Sequence, residues 1–207
     1  MFPEVVGQRF RGNRGFEVIV LSPEGTELYT ALQSPLQNLT SSTNGSLAIR
    51  IFKLDISNPT APVRVGQWVY LLDPDTPSSN NDKVSTLTRV GEEKVLVEER
   101  DDPSPENANP GNTVNTRLWL ADLTANRMLG EAWNWNGSAP NSFAAENGGC
   151  TLEQRFLASP PPSCTPPSGA PVPVAKCLYA NVAQPLIDAG FVVNGKAANG
   201  KLEGWLW

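Results

Sequence analysis

The chain has 207 residues, room for one domain or a large part of one, with 40% apolar side chains to build a core. Nineteen prolines and seventeen glycines favour short strands with frequent turns over long helices. A net charge of −5 gives no basic excess for nucleic acid or an anionic membrane, and the absence of histidine removes a Ser-His-Asp triad and the usual histidine zinc sites.

The first legible unit runs from Gly15 to Gln33. Phe16-Glu17-Val18-Ile19-Val20-Leu21 is apolar and β-branched, as in a buried strand, Ser22-Pro23-Glu24-Gly25 is a tight turn, and Leu28 to Leu32 is the returning strand. A polar loop over 37–46 follows. Leu47 to Leu54 then reads as a strand with Leu47, Ile49 and Ile51 on one face, and Val63 to Leu72 as its partner after a turn with two prolines. Val84 to Val90 and Lys94 to Glu98 flank Gly91-Glu92-Glu93 as a third hairpin. Arg117 to Asp122 and a weaker run from Met128 to Trp133 make a fourth. Glu98-Glu99-Arg100-Asp101-Asp102 reads as a strand end in water, with an acidic metal site as the alternative, and Trp119, Trp133 and Trp135 as blade packing rather than a ligand platform.

From about 134 to 173 the pattern fails. Pro160-Pro161-Pro162 and Pro166-Pro167 argue for an irregular or disordered insertion, whose prolines lack ladder donors and cannot cover the open end of an incomplete arc. Structure resumes at Lys176 to Ala180, and the chain ends in the apolar run Leu202 to Trp207. Strand openings recur at Phe16 to Val20, Val84 to Thr88 and Leu202 to Leu206. A supersecondary unit repeating with variable loops predicts an all-β fold, a β-propeller seen as an incomplete arc of antiparallel blades over 1–207; a β-sandwich is the alternative.

No stretch approaches the roughly 20 apolar residues of a membrane span. Met1-Phe2-Pro3-Glu4 does not open a signal peptide, whereas sequons at Asn38, Asn44 and Asn136 favour an exported glycoprotein whose leader is not in this sequence. Cys150, Cys164 and Cys177 leave an odd thiol; Cys150 and Cys164 either close the Pro-rich loop or stay reduced.

The repeat sets Glu17 and Glu203 at equivalent strand starts. Carboxylates there suit a hard cation such as Ca²⁺, or else accept hydrogen bonds at a blade start. Arg9, Arg11 and Arg14 lie just before Glu17, and arginine's planar fork fits phosphate, although a solvated basic loop is the commoner explanation of such a cluster.

The blocks Asn13-Arg14-Gly15-Phe16-Glu17, Leu21 to Gly25, Leu28-Tyr29 and Leu32-Gln33-Ser34-Pro35-Leu36 resemble the phytase-like family, also called the esterase-like activity of phytase domain. The likeness continues through Arg50 to Asp55, Tyr70 to Asp73, Lys83-Val84-Ser85, Val97 to Asp101 and Lys201 to Gly204. The resemblance implies a propeller, usually in exported proteins, and a phosphoric-monoester hydrolase using metal-activated water. Glu17 and Glu203 would ligate the metal, and Arg14 with Arg11 would hold the phosphate. A non-catalytic extracellular binding propeller is the alternative. The chain departs from the family pattern at Val18, where glycine is usual, and at Thr86, where an acid is usual.

Overall fold

The computed structural model describes residues 14–37, 41–73, 83–100, 116–127, 151–157, 159–160 and 172–182, with a few isolated positions beyond. Eight strands form two four-stranded antiparallel sheets. Sheet 1 is a meander of β1 (Phe16–Leu21), β2 (Glu27–Leu32), β3 (Ala48–Asp55) and β4 (Val63–Leu71). Sheet 2 repeats that order with β5 (Lys83–Gly91), β6 (Lys94–Arg100), β7 (Thr116–Asp122) and β8 (Ala175–Asn181). A two-residue ladder joins β9 (Val192–Val193) to β10 (Lys196–Ala197). The all-β expectation holds, and each of the first three expected hairpins is half of a four-strand sheet.

Period-two alternation decides which side chains meet between the sheets. Val18, Tyr29, Ala31, Ile49, Ile51, Trp68 and Tyr70 from sheet 1 form one core with Val84, Leu87, Val95, Val97 and Ala121 from sheet 2. The other face of sheet 1 carries separate clusters: Leu32, Leu36 and Phe52 in one, Ala48, Val69 and Leu152 in another. Trp68 fills the core so closely that a Cβ at Gly66 would lie 2.6 Å from its ring.

Two sequence expectations need correction. β1 is an edge strand rather than a buried one: Val18 faces the core, whereas Ile19 and Leu21 are more than half exposed, because β1 has one strand neighbour and an incompletely covered outer face. β7 finds its second neighbour in β8, across the long connection; the run over 128–133 lies outside the described residues. One short helix is described inside the span expected to be an irregular insertion. Within it Thr151 caps a single helical turn, α1 (Leu152–Arg155): its hydroxyl accepts from the Gln154 N–H, while the Gln154 side chain accepts from the Thr151 N–H. α1 packs Leu152 onto Ala48 and Val69 of sheet 1.

Candidate functional site

The sheets meet where β1 and β5 begin. Gln33, just past β2, uses both backbone groups there: its N–H donates to the Gly15 carbonyl at 3.0 Å and its carbonyl accepts from the Val84 N–H at 3.0 Å. This bridge sets Arg14 and Ser34 on one side of the junction and Lys83 on the other. Arg14 donates from Nη1 to Ser34 Oγ at 3.1 Å, which orients the guanidinium. Glu17 is exposed at the start of β1. Lys83 stands opposite Arg100 in the β5–β6 ladder, both buried, and Arg100 Nε donates to Ser85 Oγ. Arg14 and Lys83 thus flank the two bonds of one backbone bridge, a basic corner where the sheets meet.

Of the four residues singled out in the sequence, the described structure contains Arg14 and Glu17. Arg11 and Glu203 lie outside it, as do Trp133, Trp135, Cys150 and Cys164. Calcium takes six to eight oxygen ligands. Among the described residues no three acidic or cysteine side chains are grouped to hold a metal ion, so Glu17 alone does not make a calcium site there. Thr86, where the family usually has an acid, is buried in β5.

The described part of the acidic run at the end of β6 is not solvated; Asp101 and Asp102 lie outside the described residues. Glu98, Glu99 and Arg100 are all buried, because β6 is a central strand with β5 and β7 on either side. Glu99 accepts from Tyr70 Oη across the sheet interface, from the Asp73 N–H at 2.8 Å and from Lys176 Nζ at 2.5 Å. Lys176 also lies 4.6 Å from the Tyr70 ring centroid and 4.3 Å from that of Trp119. Arg117 pairs with Asp73 at 2.9 Å. Burial, reinforced by the Glu99 charge, raises the Tyr70 phenol well above its ordinary value.

At the opposite end of the sheets Lys53 Nζ bridges Glu27 at 2.8 Å and Glu93 at 2.7 Å. Burial works against the ammonium, but these two carboxylates outweigh it and hold the lysine pKa above its usual range. Glu93 sits in the tight β5–β6 turn at φ 50° and its carbonyl accepts from the Leu123 N–H. Sequence reasoning missed both polar clusters. Their only trace is charge placed inside otherwise apolar strands, as in Val95-Leu96-Val97-Glu98-Glu99.

The family model described as "Phytase-like: Esterase-like activity of phytase" matches residues 2–137, well over half of the chain. The two meanders and the junction at β1 and β5 fall largely within that span, and the chain belongs to the phytase-like family. Neither the curated proteins nor the solved structures gave a match.

Proposed function

We propose that the chain is part of a phytase-like phosphoric-monoester hydrolase domain, built as an arc of a β-propeller in an exported protein, with the basic corner holding the phosphate. The observation that carries this reading is the family match over residues 2–137, which includes Arg14, hydrogen-bonded to Ser34, and the exposed Glu17. Arg14 would bind a phosphate oxygen pair through its planar fork, assisted by Arg11. Fixing the guanidinium beforehand lowers the ordering cost of binding. A Ca²⁺ ion, if the domain uses one, would supply an activated water, with Glu17 and Glu203 among its ligands.

The test is hydrolysis of a simple phosphate monoester by the protein, with and without Ca²⁺. Glu17→Gln should lower the rate at least tenfold, and Arg14→Met should raise KM. Full activity in Glu17→Gln would remove Glu17 from the site. A second reading, a non-catalytic binding propeller, is favoured by Thr86 standing where the family pattern has an acid. It gains if the wild-type protein hydrolyses no phosphate ester under any metal condition.

A further inference from the structure

β8 ends sheet 2, with β7 as its strand neighbour, and it buries little of itself: Leu178 is 50% and Tyr179 66% exposed, and Cys177 is exposed as well. Lys176, by contrast, turns inward. It stands opposite Ala121, on the face of sheet 2 that meets sheet 1. A lysine on an edge strand ordinarily keeps its head in solvent while its stem covers apolar surface. Here Nζ lies 4.3 Å from the Trp119 ring centroid and 4.6 Å from that of Tyr70. Both are inside the roughly 6 Å at which an aromatic face attracts a cation. The Glu99 carboxylate closes the recess. Its Oε1 accepts from Nζ at 2.5 Å and from Tyr70 Oη, and its Oε2 accepts from the Asp73 N–H at 2.8 Å. The walls stand on β4, β6 and β7, and the lysine arrives from β8.

We propose that Tyr70, Trp119 and Glu99 form a binding site for an alkylammonium ion, and that Lys176 fills it as a ligand tethered to β8, seating the edge strand. An ion pair needs only a carboxylate. Two aromatic faces at cation distance, with a carboxylate held at both oxygens, make a cage of the kind that recognises ammonium ligands. The walls are fixed by contacts other than the lysine: Tyr70 is fully buried in the inter-sheet core, Trp119 packs against that core, and Glu99 is oriented by Tyr70 Oη and the Asp73 N–H. Walls set in advance lower the ordering cost of binding. All three lie in the family-matched residues 2–137 and the lysine lies beyond them, so site and occupant come from separate parts of the chain. The ligand class is a primary alkylammonium with a chain about the length of lysine's own stem.

Chemical rescue of the emptied cage, read by amide hydrogen exchange on the intact protein, is the test. The Val182 N–H, which donates to the Thr116 carbonyl at 2.8 Å just past β8, reports the seating of that strand. The Leu123 N–H, which donates to the Glu93 carbonyl at 2.7 Å, reports the far end of sheet 2. In Lys176→Ala, exchange at Val182 should rise at least tenfold while Leu123 stays within threefold of wild type. Adding n-butylammonium chloride should return Val182 saturably to within threefold of wild type, whereas 1-butanol in matched sodium chloride should not. Glu99→Gln added to Lys176→Ala should abolish the rescue. An unchanged Val182 in Lys176→Ala, or an equal rise at both amides, would overturn the proposal. So would the absence of rescue by butylammonium, or equal rescue by butanol, which would mark an apolar slot rather than a cation cage. Should Lys176→Ala fail to fold, Lys176→Met keeps the apolar stem without the charge; it should still raise Val182 exchange tenfold, and wild-type protection there would overturn the cage.

Discussion

Arg50 and Glu153, 103 positions apart in sequence, form an ion pair with side chains 2% and 0% exposed. A buried pair of this kind is weak evidence for net stabilisation, because both ions lose their hydration, but removing one partner takes away much of what offsets the burial of the other. Glu153→Ala should therefore lower unfolding stability by about 3–5 kcal/mol. Arg50→Met with Glu153→Leu should recover most of that loss. Denaturant melts of the two variants and the wild type make the comparison. A loss below 1 kcal/mol in Glu153→Ala would show that water reaches the arginine.

Gly66 sits in β4 two residues before Trp68. An added Cβ would lie 2.6 and 2.8 Å from two carbons of the Trp68 ring and 3.1 Å from Cδ of Arg127. Trp68 is fully buried and cannot swing aside without disturbing the core around Ile51 and Val97. Overpacking of this kind typically costs 1–3 kcal/mol, so Gly66→Ala should lower the midpoint of a urea melt by about that stability. Relief of the strain by Trp68→Leu in the same background would show that the ring is the obstacle.

The strand pattern was legible because β3, β4, β5 and β6 carry period-two alternation dense enough to read without tertiary information: Ile49 and Ile51, Val95 and Val97 fall on the core face as their spacing predicts. The same rule misjudged Glu98 and Glu99. Charged residues at a strand's end read as solvated unless a partner is known, and Tyr70 and Lys176 lie 29 and 77 positions from Glu99. Composition likewise hid α1. Prolines around it predict irregular chain, while its anchorage rests on one capping box and an arginine on β3. In the candidate site the sequence supplied Arg14 and Glu17 but not the Gln33 bridge, which is made by backbone groups that no side-chain pattern encodes.

Two strand-end carboxylates, Asp55 in β3 and Asp122 in β7, contribute to the acid side of the stability profile. Asp55 accepts from the Ser57 N–H at 2.8 Å, and Asp122 from the Thr124 N–H and hydroxyl at 2.9 and 2.6 Å. These hydrogen bonds favour the ionised form and lower both pKa values. A lowered folded pKa gives stability that is present above the unfolded carboxylate value, near 3.9, and lost as pH falls through the folded one. Asp122→Asn should therefore leave the melting temperature at pH 7 close to wild type while flattening its decline below about pH 4. An unaltered acid slope would show that Asp122 is equally hydrogen-bonded in the unfolded chain.

On the alkaline side three groups act together. Burial raises the Tyr70 and Tyr29 phenols, and the carboxylates of Glu27 and Glu93, overcoming burial, raise the Lys53 ammonium. For each, the folded state holds its proton to a higher pH than the unfolded chain does. Their contribution to stability is complete below the unfolded values, about 10 for tyrosine and 10.4 for lysine, and is lost as pH rises through the folded ones. Unfolding free energy should thus be flat from pH 7 to about 9.5 and fall steeply above 10. Tyrosinate absorbance of the folded protein should lag behind that of the urea-unfolded chain over the same range. Tyr70→Phe separates the contributions. It removes the hydroxyl that donates to Glu99, costing about 1–2 kcal/mol at pH 7, but it also removes one proton that the unfolded chain releases first. The variant should therefore start lower and decline less steeply above pH 10. A decline as steep as wild type would mean that Tyr70 ionises in the folded state at the ordinary value, and that its bond to Glu99 does not hold the proton in place.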